Sequence, residues 1–171
     1  FFLYRDFQSR NIMIRDSEPW FIDFQGGRKG ALQYDVASLL YDAKANIPPA
    51  VREELLDHYL GALAEVTPVD EKGFRFYFKG FVLIRLMQAL GAFGYRGFFE
   101  RKRRFLESVP FAAKNLDGIL DAGLPIPLPE LEDVFRRIVD RWTGGEDSFS
   151  ERPSRLTVSV RSFSFKHGYP L

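Results

Sequence analysis

The chain contains no cysteine, which excludes a disulfide framework and any thiolate-based metal site. Histidine is almost as scarce. His58 sits between Asp57 and Tyr59 in a helical pattern and reads as structural, and His167 has no second His or Cys near it to complete a zinc set. No charge of one sign dominates: the formal net charge is +1, so composition alone predicts no polyanionic partner. Long apolar runs are also missing. Gly80-Phe81-Val82-Leu83-Ile84 is cut by Arg85 and is too short to cross a bilayer, so no membrane association is expected. Neither G-x-G-x-x-G nor G-x-x-x-x-G-K-[ST] occurs, which leaves the chain without a recognisable phosphate-cradling loop. No secretory leader is visible. A chain of 171 residues can bury one sizeable core, and the composition reads as a compact cytoplasmic domain.

What is present is a spacing. Asp6-Phe7-Gln8-Ser9-Arg10-Asn11, followed by Ile22-Asp23-Phe24-Gln25-Gly26, sets an Asp, an Asn and a second Asp in the order a kinase-type phosphotransferase uses. Asn11–Arg15 and Pro19–Phe24 are β-branched and aromatic runs around the turn-forming Asp16-Ser17-Glu18, which predicts a hairpin. If the hairpin centres on Ser17, Asn11 falls opposite Asp23, close enough for two side-chain oxygens to share a cation. Magnesium prefers such oxygen donors and completes its shell with waters and substrate phosphates. The same register puts Met13 and Phe21 on the ligand face, as an apolar floor for a purine ring. Asp6, in the loop leading into the hairpin, is placed to accept the proton of an attacking hydroxyl.

Tyr4-Arg5-Asp6-Phe7-Gln8-Ser9-Arg10-Asn11, Phe21-Ile22-Asp23-Phe24-Gln25-Gly26-Gly27 and Gln33-Tyr34-Asp35-Val36-Ala37-Ser38-Leu39-Leu40 together resemble the C-terminal lobe of the aminoglycoside phosphotransferase/choline kinase family. Within it the strings are most similar to bacterial anomeric kinases of N-acetylmuramate and N-acetylglucosamine. The resemblance implies Asp6 as catalytic base, Asn11 and Asp23 as magnesium ligands, and ATP with Mg2+ as the phosphoryl-donor complex. It also implies that Asp35 braces the catalytic loop, although an Asp before Val36-Ala37-Ser38-Leu39-Leu40 is equally a good helix N-cap. Tyr4 stands where the family usually has His. Gly26-Gly27-Arg28-Lys29-Gly30 follows the second metal ligand and reads as a short activation-type segment.

The expected fold class is α+β: a protein-kinase-like C-terminal lobe, mainly helical, with a small active-site β-hairpin and without its N-terminal lobe. Helices are expected over Tyr34–Ala45, Ala50–Val66, Asp70–Ala92, Phe98–Leu106, Ala112–Ala122 and Glu130–Trp142, from apolar spacing and Pro breaks. Residues 1–142 form the lobe, 143–154 a polar linker, and 155–171 the alternating start of a second, truncated domain. Ser162–Pro170 resembles the opening of the C-terminal domain of an RNase-adapter family, the one route by which RNA enters as a partner. The chain reads as a fragment whose other partner is its own missing N-terminal lobe.

Charge bears on the acceptor. Between Phe74 and Glu107 the basic residues are Arg75, Lys79, Arg85, Arg96, Arg101, Lys102, Arg103 and Arg104, against Glu100 and Glu107 alone. That balance disfavours a polycationic aminoglycoside and suits a neutral or anionic small-molecule sugar such as an N-acetylated amino sugar. The competing readings are a non-catalytic, kinase-derived regulatory module and a kinase of a small amino alcohol such as choline or homoserine.

Overall fold

The computed structural model describes residues 1–24 and 26–144. Residue 25, most of the expected linker and the whole of the 155–171 segment, with the RNase-adapter-like string, lie outside them.

The described residues are mainly helical, with two small antiparallel ladders. Strand β1 (Phe2–Leu3) pairs with β4 (Arg28–Lys29), and β2 (Ile12–Arg15) pairs with β3 (Glu18–Phe21). Five α-helices follow: α1 (Gln33–Leu40), α2 (Pro49–Val66), α3 (Glu71–Gly94), α4 (Val109–Asp121) and α5 (Pro129–Thr143). A π-helical turn, Tyr95–Phe99, and a 3-10 turn, Arg103–Ser108, connect α3 to α4.

Helix α3 is the axis of the core. Its Phe74, Phe78, Val82, Leu83 and Leu86 are buried with Val36, Ala37 and Leu40 of α1, Leu56 and Leu60 of α2, Leu116 and Ile119 of α4, and Phe135 and Val139 of α5. Its start is fixed by Asp70, whose carboxylate accepts from the Gly73 amide at 3.0 Å as an N-cap. With the π-helical turn it forms a helical stretch, Glu71–Phe99, that is long and apolar enough to cross a membrane by length and composition. This corrects the view that the apolar run is too short. Here, however, one side of that stretch is the core of the helical packing, and Arg75, Lys79 and Arg85 ride on it.

The helices differ from expectation at three places for identifiable reasons. No α-helix covers Phe98–Leu106: Arg101, at φ 55°, breaks the span between the π-helical turn and the 3-10 turn. Helix α1 stops at Leu40 rather than Ala45; just beyond it Asp42 accepts from the Lys44 amide at 3.1 Å, a local side chain–backbone bond that competes with helix. Pro110 does not split two helices; it lies in the first turn of α4, where its missing N–H costs nothing. One buried polar group spans the helices: Arg52 Nη2 donates to Asn115 Oδ1 at 2.5 Å, and its guanidinium lies 4.4 Å from the Tyr41 ring centre.

The β2–β3 hairpin departs from its expected register by one residue. Ile12 faces Phe21, Met13 faces Trp20 and Arg15 faces Glu18. The turn is therefore Asp16-Ser17 alone, with φ of 52° and 64°, a two-residue turn whose twist matches that of the strands. Asn11 then lies opposite Ile22, whose amide donates to the Asn11 carbonyl at 3.0 Å, and not opposite Asp23. The same shift puts Met13 and Phe21 on opposite faces of the ribbon, so they do not form one shared floor.

Candidate active site

The loop from Tyr4 to Asn11 is held by two carboxylates of the α1 region. Asp35 accepts from the Tyr4 amide at 2.6 Å and from the Arg5 amide at 3.1 Å. It is the third residue of α1, whose N-cap position is Leu32, so its carboxylate serves the loop and not the helix end. Seven residues on, Asp42 accepts from the Ser9 amide at 3.0 Å and from Ser9 Oγ at 2.5 Å. Asp35 lies in the first turn of α1 and Asp42 two residues beyond its end, so one short segment carries both. The motif reading missed Asp42, although that seven-residue spacing from Asp35 was a visible signal.

Between these clamps the backbone is forced into an unusual form. Arg5 (φ 65°) and Asp6 (φ 35°) both occupy positive φ, and Asp23 (φ 64°) does so across the hairpin. Such residues cost about 1–3 kcal/mol each and persist only where their surroundings hold them. Three of them gather at the predicted site, and two are the predicted acids themselves. Asp6 is half-buried, Asp23 is exposed and Asn11 is buried. The Asn11 Nδ2 group donates to the Asp6 carbonyl at 2.9 Å, which ties the end of the loop back to its acid. With Nδ2 committed, Oδ1 is the atom by which Asn11 would ligate a cation. Asp23 follows the last paired strand position, so its positive φ, not strand alternation, sets where its carboxylate points.

Tyr4 fills the position where His was the family expectation. Its hydroxyl donates to the Ile22 carbonyl at 2.7 Å, joining the loop to the segment that carries Asp23. Its ring packs against Phe7, Phe21 and Phe24. Phe21 is thereby an aromatic neighbour of the loop, while Met13 is exposed on the other face of the ribbon. The glycines after Asp23 have a packing role: a side chain at Gly27 would strike the Phe2 ring, and one at Gly30 would strike Leu3.

Behind the loop is a cavity of about 320 Å³ lined by Tyr4, Phe7, Val36, Leu39, Tyr59 and Asp35. Burial, and then the nearby Asp35 carboxylate, push the Tyr59 hydroxyl above its usual range. A space with so little hydrogen-bonding capacity does not suit a sugar, which needs many polar partners. The basic excess between Phe74 and Glu107 is also smaller than the sequence suggests. Arg75 forms ion pairs with Glu53, Asp57 and Glu71, all outside that window.

Residues 1–69 match the model of the phosphotransferase enzyme family. The chain is similar to phosphotransferases. Two curated proteins resemble it, both named N-acetylmuramate/N-acetylglucosamine kinase. That of Neisseria meningitidis serogroup B is 29% identical over 112 residues, covering 64% of this chain and 34% of the relative. That of Pseudomonas aeruginosa is 29% identical over 149 residues, covering 85% of this chain and 42% of the relative. The chain thus spans less than half the length of these relatives. No solved structure matches it. The matched residues 1–69 contain the loop, the hairpin and both clamping carboxylates.

Proposed function

We propose that this chain is the C-terminal lobe of an ATP-dependent kinase that phosphorylates a sugar hydroxyl, in a longer protein. The observation that carries the reading is the Tyr4–Asn11 loop, held by Asp35 and Asp42 with Asp6 in a strained conformation and Asn11 tied to its carbonyl. Strain maintained at a potential general base is a common mark of a working site.

In this reading Asp6 orients the acceptor hydroxyl and takes its proton as the phosphoryl group is transferred. Asn11 Oδ1 and the Asp23 carboxylate are a hard, oxygen-only donor pair of the kind that suits magnesium. A magnesium nucleotide bound there would supply the phosphoryl group and neutralise its developing charge. Phe21, against Tyr4 and Phe7, lies on the loop side of the hairpin and is the better placed of the two residues assigned to the adenine. Met13 on the opposite face would meet the nucleotide only from the far side of the ribbon. The exposed Phe1, Phe2, Trp20 and Ile22 offer an apolar surface for the lobe that completes the nucleotide site. The acceptor is an N-acetylated amino sugar, supported by the names of the two relatives.

The test is magnesium-dependent ATP consumption against a panel of amino sugars, with this segment in its full-length protein and Asp6→Asn beside it. Turnover with N-acetylglucosamine or N-acetylmuramate that falls at least a hundredfold in the variant supports the assignment. Tight nucleotide binding with no turnover on any sugar would replace it with a regulatory module.

A further inference from the structure

We propose that the cavity between the π-helical turn Tyr95–Phe99 and helix α5 is a second ligand site, which takes a nucleotide unit. This site shares no residue with the loop and hairpin, and it stands independently of the kinase reading. The cavity measures about 320 Å³ and is lined by Phe98, Val134, Arg137, Ile138, Arg141 and Trp142. That volume lies at the small end of ligand pockets, about 300–1,000 Å³, enough for one base and its phosphate.

The lining divides by chemistry. Phe98 and Trp142 place their ring centres 6.5 Å apart and form an aromatic wall, of which Phe98 is 61% exposed. An exposed aromatic ring beside guanidinium groups is what a stacked base requires. Arg137 and Arg141 are one helical turn apart, so their side chains leave the same side of α5 toward the same opening. Among the described residues, no carboxylate lines the cavity.

The charge arrangement on α5 makes the two arginines stand out. Arg136 is paired with Glu132 at 2.8 Å. Asp133 sits one turn before Arg137, yet among the described residues neither Arg137 nor Arg141 forms an ion pair. Like charges at this spacing disfavour a helix, and a bound phosphate would relieve them. The adjoining segment supplies more positive charge. Arg96 and Arg104 lie over the Phe105 ring, at 5.1 and 5.2 Å, and Arg101 and Arg103 flank Lys102. This segment is not a regular helix with charges spread around it: Arg101 has φ 55° and the 3-10 turn begins only at Arg103. π-Helical turns such as Tyr95–Phe99 are themselves frequent at functional sites.

The same chemistry is offered by a free mononucleotide and by single-stranded RNA, and the experiment separates them. Trp20 is replaced by Phe in the full 171-residue chain, which leaves Trp142 as the sole indole. Its fluorescence is then titrated with adenosine monophosphate and, separately, with a short oligoadenylate. Saturable quenching by either probe, weakened at least tenfold in Arg137→Gln/Arg141→Gln, supports the site. The probe that quenches at lower concentration identifies the source. For the oligonucleotide, affinity must also fall with salt at a log–log slope near −0.7 per phosphate held. Retention of part of the affinity in Arg137→Lys/Arg141→Lys shows that charge, not fold, carries the effect. Nucleotide bound at the loop and hairpin would not respond to either arginine pair. Unquenched Trp142 with both probes, or equal quenching in the Gln variant, overturns the proposal.

Discussion

Replacing Asp35 by Asn should loosen the Tyr4–Asn11 loop without unfolding the helices. The carboxylate takes two backbone N–H groups, and hydrogen bonds to a charged partner contribute about 1.5–3 kcal/mol each. Asn keeps one acceptor oxygen and turns an NH2 group toward the other amide, so one bond is lost and a donor faces a donor. Because the pair is only part-buried, the lower end applies, about 1.5–2 kcal/mol. That is comparable with the strain held at Arg5 and Asp6, about 1–3 kcal/mol each, so the restraint and the strain are closely matched. Native-state hydrogen exchange at the Tyr4 and Arg5 amides reads this directly. A loss of about 1.5–2 kcal/mol accelerates their exchange about 10- to 30-fold, while amides of α3 keep their protection. Asp42→Asn is the comparator and should act on Ser9 rather than on Tyr4 and Arg5. Unchanged exchange at Tyr4 and Arg5 would refute the clamp. Equal acceleration across α3 would mean that Asp35 supports the whole fold instead.

Asn115→Ala removes the acceptor of buried Arg52, whose Nε already lacks a partner, and should lower stability by about 2–3 kcal/mol in urea unfolding. Arg52→Met/Asn115→Leu, which removes donor and acceptor together, should cost less than the single change. Tyr41 is pushed above its ordinary value of 10.0 by burial, against an opposing pull from Arg52. A raised value in the folded state means stability is whole below pH 10 and is lost as pH climbs toward the folded value. Tyr41→Phe should therefore flatten the alkaline limb of a stability–pH curve above pH 10, and a curve identical to wild type would remove Tyr41 as a contributor.

The sequence was most informative where chemistry requires a residue type at a spacing. Asp6 and Asn11 were singled out that way and Asp35 through the family resemblance, and hydrogen bonds tie all three to one loop. Helix α3 and its apolar face were also legible, because a 3.6-residue period over more than twenty positions has few alternatives. The hairpin register was not. It depends on the sign of φ at Asp16 and Ser17; Asp16 tolerates a left-handed conformation, but Ser17 does not advertise one as the Gly of a typical two-residue turn would. One residue of uncertainty there moved Asn11 from Asp23 to Ile22 and separated Met13 from Phe21. Arg75 was misread for a different reason. Its three acidic neighbours all precede the window that began at Phe74, and two of them, Glu53 and Asp57, come from another helix.

The hairpin has a practical consequence for anyone handling the chain. As a two-stranded ladder it leaves backbone donors and acceptors along both margins, and Ile14, Trp20, Phe21, Ile22 and Phe24 flank them with large apolar side chains. Such a margin is a template for another strand, most readily that of an identical molecule. Preparations of the chain should therefore drift toward dimers and larger assemblies as concentration rises. A lysine at Ile14, the most exposed of these positions at 69%, is the single change best suited to keep the molecules apart.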